Sequence, residues 1–398
     1  MSELLNLLDQ GLLGLSGWGK VIATFLLVQI SMMAITLYLH RDQAHRAIDL
    51  HPALRHFFRF WIWMTSGMVT REWVAVHRKH HAMCEQPGDP HSPVVFGLGK
   101  VVSQGSELYR VAARDPEIVA KYGRGTPDDW LERNLYSAHS TLGIWSMLAI
   151  DVLLFGAIGI TIFAVQMMAA PVMAAGVING LGHAWGYRNF ESADAATNLT
   201  PVAVLIGGEE LHNNHHAFPS SAKFSVQPWE FDIGWMYITL LKAFGLCRVR
   251  RVAPKPVIAP TPRQVDIDTL RAVLVNRMHV LRDYTFGVVL PVLDREARSG
   301  DGLVKTARRL LVRRPQLLDE AGRSRLDAVL AASPTLHTVH EYRQQLTALW
   351  EQANVSNDQL VRQLREWCAR AEASGIEALQ QFSARLRGYL PDPAMTPA

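Results

Sequence analysis

The chain has 398 residues, of which 49% are hydrophobic and 19% are charged, and it carries a formal net charge of +4. This composition excludes a disordered chain, and the three cysteines are too few for a disulfide scaffold. The mild charge gives no support to nucleic-acid binding, so we expect no nucleic acid among the partners. Apolar residues concentrate before about residue 245 and charged residues after about residue 262. This distribution predicts a membrane part followed by a soluble helical part.

The apolar part predicts an all-α integral membrane protein with about three spans. Residues 19–39 form one apolar run, and residues 134–187, which contain no Lys or Arg, have room for a hairpin with arms at 142–155 and 160–181. Residues 1–19 contain no Lys or Arg, whereas residues 40–133 contain thirteen. The positive-inside rule therefore predicts a multi-pass protein of the cell (inner) membrane, with its N-terminus outside and its histidine-rich segments and C-terminal part in the cytoplasm. Asp151, inside the first arm, is either a functional carboxylate or a plain polar contact between helices.

Four parts are expected along the chain. They are an N-terminal interfacial segment (1–18), a membrane domain (19–253), a proline-rich linker (254–262) and a soluble helical domain (263–398). The apolar run 57–69 is too short to span and is flanked by arginines, which predicts an amphipathic helix at the cytoplasmic face. Apolar residues at three- and four-residue spacing predict soluble helices at 266–284, 302–312, 319–332, 339–353, 357–373 and 375–386.

Most of the sixteen histidines are clustered. The boxes HRKHH and HNNHH each place three imidazoles on one helix face, because residues three or four positions apart lie on the same side, and NGLGH pairs an asparagine with a histidine in the same way. In HRDQAH two histidines are five residues apart and diverge by about 140° on an ideal α-helix, so they require a helix end or a local distortion. The candidate metal ligands are His40, His45, His77, His80, His81, Asn179, His183, His212, His215 and His216.

Imidazole nitrogen suits iron, copper, zinc and nickel. Nine imidazoles are too many for one ion, whereas two ions with four or five nitrogens each would use the set, and the Asn179 amide could complete a shell directly or through water. A lone histidine is usually a hydrogen-bonded surface or core residue, and we interpret the other seven histidines in this way, with His91 as a candidate to orient a ligand. Cys84 is left out of the ligand set, because a thiolate beside an oxidising iron is itself prone to oxidation.

The segments HRDQAHR, EWVAVHRKHH followed by DPH, NGLGHAWGY and GEELHNNHHAFP resemble the membrane-bound fatty acid desaturases, in particular the acyl-CoA Δ9 branch, across residues 19 to about 250. The resemblance implies two irons held by the nine box histidines, with a water held by Asn179. It also implies that O2 and two electrons are used to insert a cis double bond into a saturated acyl chain, in unsaturated fatty acid biosynthesis. Animal members carry a charged pair that contacts the coenzyme A headgroup, where this chain has Ala75 and Val76. The carrier is therefore open between acyl-CoA, the first expectation, and carrier protein or phospholipid.

Two sets of residues are further candidates. Five aromatic residues are expected to form either the wall of a substrate channel or a belt at the membrane interface. They are Trp61, Trp63, Trp73, Trp185 and Phe218. The sequence has no GxGxxG loop and too few cysteines for an iron–sulfur cluster, so we expect a separate electron donor, such as a flavin and iron–sulfur reductase or a ferredoxin. Six basic residues either form a docking face for this electron donor or merely follow the positive-inside rule. They are Arg71, Arg78, Lys79, Arg248, Arg250 and Arg251.

The C-terminal part has a different resemblance. SPTLHTVHEYRQQLTALW and WCARAEASGIEALQQFSARL resemble the helical part of certain insertion-sequence transposases. No acidic catalytic triad accompanies them, so we expect an interaction or scaffolding unit. Two other functions stay open for the whole chain. One is a di-iron membrane fatty acid or alkane hydroxylase, which shares the histidine boxes, and the other is a histidine-rich membrane metal transporter, whose sites usually lie inside the bilayer.

Overall fold

The computed structural model describes residues 7–299, 307–313, 317–352 and 355–392. The chain divides into two units: Met1–Arg188 with Asp194–Ala253, and Pro254–Ala398 with the short segment Asn189–Ala193. The described residues are mostly helical and include three two-stranded sheets.

The first unit contains the predicted apolar helices and both histidine boxes. Within its described residues the α-helices are α1 (Gly17–Ala34), α2 (Pro52–Ser66), α3 (Thr70–Met83), α4 (Pro93–Phe96), α5 (Leu98–Ala113), α6 (Pro116–Tyr122), α7 (Ser140–Phe155), α8 (Gly159–Ala169), α9 (His212–Ala217) and α10 (Ile233–Ala243). Its strands pair as β1 (Ile48–Leu50) antiparallel to β4 (Cys247–Val249), and as β2 (Val202–Ala203) parallel to β3 (Phe231–Asp232).

The first apolar helix changes its winding before it reaches the first histidines. Helix α1 begins after Ser16, whose hydroxyl accepts a hydrogen bond from the Gly19 amide, and it continues as a π-helix over Ile35–Ala44. In a π-helix each amide bonds to the carbonyl five residues back, and the His45 amide donates to the His40 carbonyl at 3.0 Å. Residues five apart therefore lie on one side of the helix. The expected distortion between the two histidines is confirmed, and its form is a π-helix.

The second apolar stretch, Ser140–His183, folds back on itself. Helix α7 is followed by a 3₁₀ turn over Gly156–Ile158 and by α8, which continues as a π-helix over Ala170–Ile178. The Gln166 side-chain amide donates to the Asp151 carboxylate at 2.7 Å, although these residues would be about 22 Å apart along one straight helix. The hairpin thus lies where the sequence predicts it, and Asp151 makes a polar contact between its arms.

Two helices, Gly17–Ala44 and Ser140–His183, are long and apolar enough to cross a membrane among the described residues. With the second one bent into a hairpin, the three predicted spans have matching segments. The number of crossings, their orientation and the cytoplasmic location of the site stay predictions.

The N-terminal segment packs against the turn of this hairpin. The amides of Leu12 and Leu13 donate to the carbonyls of Leu153 and Leu154. Gly156 has a φ of +74°, and a Cβ there would lie 2.6 Å from the Leu8 carbonyl oxygen, so glycine is required at this close approach. The segment therefore lies at the end of the hairpin that is remote from His183.

A buried ion pair joins the π-helix that carries His40 to the segment before α10. Arg41 is fully buried, donates to Asp232 at 3.1 Å and lies 3.8 Å above the ring of Phe224. A buried pair of this kind is costly to break, by about 3–5 kcal/mol when one partner is removed. It holds His40 in a fixed position relative to the second half of the unit.

The second unit is a helical bundle with one small sheet. Within its described residues the α-helices are α11 (Ile267–Val275), α12 (Arg277–Tyr284), α13 (Leu290–Ser299), α14 (Arg308–Val312), α15 (Glu320–Ala332), α16 (Pro334–Glu351), α17 (Asn357–Ala373) and α18 (Glu377–Leu386). Its core includes Trp367, Tyr284 and Phe382, and the Tyr284 hydroxyl donates to the Val339 carbonyl at 2.7 Å.

Several expectations for the second unit need correction. The helix expected at 266–284 is interrupted at Asn276, and a π-helix over Thr285–Val289 joins it to α13, which the sequence analysis did not predict. Part of the helix expected at 302–312 lies outside the described residues. Strand β5 (Val257–Ile258) lies within the expected linker and pairs with β6 (Tyr389–Leu390), because backbone pairing with the chain end competes with an extended proline-rich conformation.

We predict that the Asp151–Gln166 contact stabilises the hairpin by about 1 kcal/mol. Replacing either residue by Leu leaves the partner buried and unpaired, so each single change should lower the free energy of unfolding more than the double replacement does. Unfolding in mixed detergent micelles measures all four proteins. Additive losses from the two single replacements would show that the two side chains do not interact.

Candidate metal centre

Nine imidazoles from four segments converge in the first unit. Five of them, His40, His45, His77, His81 and His215, form one cluster whose donor atoms all lie within 4.8 Å of one another. Their Nε2 atoms face each other: those of His45 and His77 are 2.8 Å apart, and that of His215 is 3.0 Å from His81 and 3.1 Å from His40. The π-helix, α3 and α9 therefore direct one nitrogen of each ring toward a common point.

The other four imidazoles form a second cluster. His80, His183 and His216 have donor atoms within 4.8 Å of one another, and the Nε2 atoms of His183 and His212 are 3.0 Å apart. His216 Nε2 is buried and has no hydrogen-bond partner among the described residues. The sets of five and four nitrogens match the expectation of two ions with four or five nitrogens each.

Carboxylates hold four of these rings from behind. The Nδ1 atom of His40 lies 2.7 Å from Glu209, and that of His80 lies 2.9 Å from Asp89. The Nδ1 atom of His183 lies 2.8 Å from Glu85, and that of His216 lies 3.1 Å from Asp194. A ring whose Nδ1–H donates to a carboxylate presents the lone pair of Nε2 on its other side. The sequence analysis missed these four carboxylates, although Glu85 and Asp89 follow HRKHH and Glu209 precedes HNNHH.

Burial keeps seven of these imidazoles neutral. In these seven residues burial lowers the imidazole pKa well below its ordinary value, and the neighbouring imidazoles lower it further. The seven are His45, His77, His80, His81, His212, His215 and His216. A neutral imidazole is the form that binds a metal. At neutral pH the rings are therefore ready as donors without loss of a proton.

The HRKHH box lies on an α-helix, whereas the NGLGH segment does not. A π-helix ends at Ile178, Asn179 caps it, and a 3₁₀ turn covers Leu181–His183. The prediction that Asn179 and His183 share one helix face is therefore wrong in its geometry, because the winding changes between them. Asn179 instead lines a cavity together with His77 and His91.

Cys84, which is not among the predicted ligands, lies beside the second cluster. Its sulfur is 3.7 Å from His80 Nε2 and 4.0 Å from His216 Nδ1, within the donor set of that cluster. Burial and the carboxylates around it raise the pKa of this thiol. The thiol therefore stays protonated and can donate a weak hydrogen bond to an imidazole.

An apolar cavity of about 390 Å³ adjoins the first cluster. Its wall includes the apolar residues Ile35, Met68, Trp73, Val76, Ile144 and Met167 and the small residues Ala170, Ala174 and Ala175. Its polar residues are Ser66, His77, His91, Ser106, Tyr109, Arg110 and Asn179. His77 belongs to both the cluster and the cavity, so a molecule in the cavity lies against the metal centre.

One of the five aromatic candidates lines this cavity. Trp73 stacks on His77 with ring centroids 4.9 Å apart. Trp61 donates to Ser31, Trp63 is buried against Tyr136, and Trp185 is 69% exposed. These three and Phe218 are not part of the cavity wall, because the bends of the chain turn them away from it.

The six basic candidates for a docking face differ in their hydrogen bonds, ion pairs and exposure. Arg78 donates to four backbone carbonyls, from residues 43, 44, 122 and 124. Arg250 is paired with Asp49. Lys79 is half-buried, and Arg71, Arg248, Arg250 and Arg251 are exposed.

The donor set fits iron. Four or five neutral nitrogens around each point suit iron, copper, zinc or nickel, and the orphaned His216 Nε2 is a donor that a metal would satisfy. The nine histidines would be the ligands, with Asn179 and Cys84 as additional groups at the edge of the set.

We predict that Glu209→Gln lowers metal affinity about 10- to 100-fold, because it replaces the carboxylate that orients His40 by an amide oxygen, which is a weaker acceptor. Metal competition followed by elemental analysis of the purified protein measures this loss. The matched control is Glu117→Gln, since Glu117 is exposed on α6 and does not belong to the donor set. Equal affinities in both variants would contradict the positioning role of Glu209.

The sequence has relatives of one kind over this unit. The sequence profile of the fatty acid desaturase family matches residues 16–243. A probable chloroplastic lipid desaturase of Arabidopsis thaliana is 31% identical over 55% of this chain and 60% of its own length. The sn-1 stearoyl-lipid 9-desaturase of Anabaena variabilis is 31% identical over 60% of this chain and 86% of its own. The acyl-CoA C20 Δ5-desaturase of Anemone leveillei is 28% identical over 58% and 73%.

A transposase profile matches residues 268–392, which confirms the second resemblance. The desaturase match covers more than half of the chain and includes both HxxHH boxes. The chain therefore belongs to the fatty acid desaturase family, and it carries a transposase-like helical region after the desaturase domain.

Proposed function

We propose that this protein is a di-iron, O2-dependent desaturase that inserts a cis double bond at the Δ9 position of a saturated acyl chain. The observation that carries the proposal is the contact between the five-imidazole cluster and the apolar cavity, which share His77. Ordinary acid–base groups do not break an unactivated methylene C–H bond, so the reaction needs the oxidising chemistry that bound iron supplies with O2.

The cavity has the shape to hold an extended chain beside the metal centre. Met167, Ala170, Ala174 and Asn179 line it from one stretch of chain, in which an α-helix continues as a π-helix that Asn179 caps. The small side chains leave room along the helix, and Trp73 and Val76 close the opposite wall. An acyl chain here would be shielded from water and would run past His77.

The four carboxylates contribute positioning. They fix the tautomer and ring orientation of His40, His80, His183 and His216. Because these carboxylates pair with the rings, the buried site has carboxyl groups close to the points where metal ions would bind. The protein thereby holds the donor set in place before any substrate enters.

The Δ9 position and the carrier rest on the relatives. The Anabaena relative is named for position 9 and for a lipid-linked stearoyl chain, whereas the Anemone relative is named for an acyl-CoA. The resemblance to the acyl-CoA Δ9 branch favours acyl-CoA, whereas the absence of a charged pair at Ala75 and Val76 favours a lipid-linked chain, which is the carrier that we propose. Assays of the purified protein with stearoyl-CoA and with stearoyl-phospholipid vesicles separate the two carriers.

Expression in a desaturase-deficient host tests the reaction. Methyl esters of the host fatty acids should contain a new monounsaturated Δ9 product with the wild-type protein and none with His212→Ala. His337→Ala, a change of an exposed histidine in the second unit, is the matched control and should keep full activity. Hydroxylated acids in place of unsaturated ones would identify a hydroxylase, and metal transport without any lipid product would identify a transporter.

We also propose that a separate protein supplies the two electrons, with its docking face around the exposed Arg248 and Arg251. Carriers of this kind are often acidic, and complementary charge accelerates association in a salt-dependent way. Replacing both arginines by Glu should slow donor-dependent turnover several-fold and weaken its salt dependence, with iron content unchanged. Replacement of exposed Arg323 and Arg325 on α15 by Glu is the matched control. Desaturation by the purified chain with NADPH and O2 alone would contradict the need for a donor.

A further inference from the structure

The cavity beside the metal centre contains one tyrosine whose hydroxyl is unused. Tyr109 lies on α5 and lines the cavity. Its hydroxyl oxygen is buried and has no hydrogen-bond partner among the described residues. Glu72 on α3 acts on this hydroxyl through its charge but accepts no hydrogen bond from it. A buried hydroxyl without a partner costs free energy, so its retention indicates a partner that arrives with the ligand.

Tyr109 stands at the mouth of the cavity. Its neighbour Arg110 is the one exposed residue among those that line the cavity, all of which the structure describes. Ser106, one turn earlier on α5, lines the same cavity. The remaining wall is largely apolar, so the polar end of a ligand belongs near α5 and its hydrocarbon part belongs deeper.

A second polar atom in the same cavity wall is also unsatisfied. His91 Nδ1 is buried without a hydrogen-bond partner in the described part of the chain. Its ring stacks on His80 at 4.3 Å, so replacing it would disturb the second cluster as well as the cavity. The hydroxyl of Tyr109 can be removed without such a disturbance, so Tyr109 is the residue to test.

On the basis of the proposed function, we propose that the Tyr109 hydroxyl donates a hydrogen bond to the carbonyl oxygen of an ester- or thioester-linked acyl chain and so fixes which carbon pair lies at the metal centre. The carbonyl is the polar group of such a chain that lies between the headgroup and the hydrocarbon. Tyr109 occupies the matching position, between exposed Arg110 and the apolar wall. With the carbonyl held at one point, the number of methylenes between it and His77 is constant.

The variant Tyr109→Phe removes the hydroxyl and nothing else. One neutral hydrogen bond corresponds to about a 2- to 10-fold change. For whichever of stearoyl-CoA and stearoyl-phospholipid the wild-type protein desaturates, kcat/KM should fall by this factor and the products should spread to neighbouring double-bond positions. Iron content should stay at the wild-type level. The matched control is Tyr136→Phe, since Tyr136 is a buried tyrosine whose hydroxyl interacts with Arg59 and which lies outside the cavity wall.

Binding to the metal-free protein provides a second measurement that is independent of turnover. Wild-type protein should bind methyl stearate more tightly than octadecyl methyl ether, which lacks the carbonyl, and Tyr109→Phe should lose this preference. The same kcat/KM, double-bond position and ester preference in Tyr109→Phe and wild type would overturn the role of Tyr109. If instead the wild-type protein makes no desaturated product, the proposed function itself fails, whatever the variant does.

Discussion

The convergence of nine imidazole nitrogens in a buried space is the constraint on which the first unit depends. Lone pairs that face one another at about 3 Å repel, and burial prevents water from relieving the repulsion. Carboxylates that contact Nδ1 of four of the rings, such as Glu209 on His40 and Glu85 on His183, hold the rings in this orientation. A metal cation at the centre would stabilise this arrangement, because oriented imidazole nitrogens would donate their lone pairs to it.

This constraint reaches into the backbone of the supporting helices. The π-helix at Ile35–Ala44 adds the turn that brings His40 and His45 to one side, and a second π-helix at Ala170–Ile178 leads to Asn179 and His183. Buried Arg41, paired with Asp232, then ties the first of these helices to the segment before α10. Irregular winding of this kind is frequently found at functional sites, and here it occurs where two apolar helices reach the histidines.

The two units of the chain are held together internally by different means. The first unit combines an apolar core, which includes Leu37 and Phe58, with polar contacts around its histidines, and its apolar helices expose residues such as Trp18 and Phe25 on α1. The second unit has an ordinary apolar core, with Trp367 and Leu364 almost fully buried. This contrast is consistent with a membrane domain joined to a region whose relatives are of another kind.

The sequence by itself determined the type of site. The spacing in HRKHH and HNNHH, the two apolar stretches and the turn near Gly156 are local properties, and each is present in the structure because periodicity and turn chemistry act over a few residues. The tertiary structure decided the rest. Of the aromatic candidates, only Trp73 lines the cavity, and Asn179 lies at the C-terminal cap of a π-helix. Val257, within the expected linker, pairs with Leu390. Contacts such as that of Glu209 with His40 join residues 169 positions apart, and such pairing is set by the packing of whole elements, which no local pattern specifies.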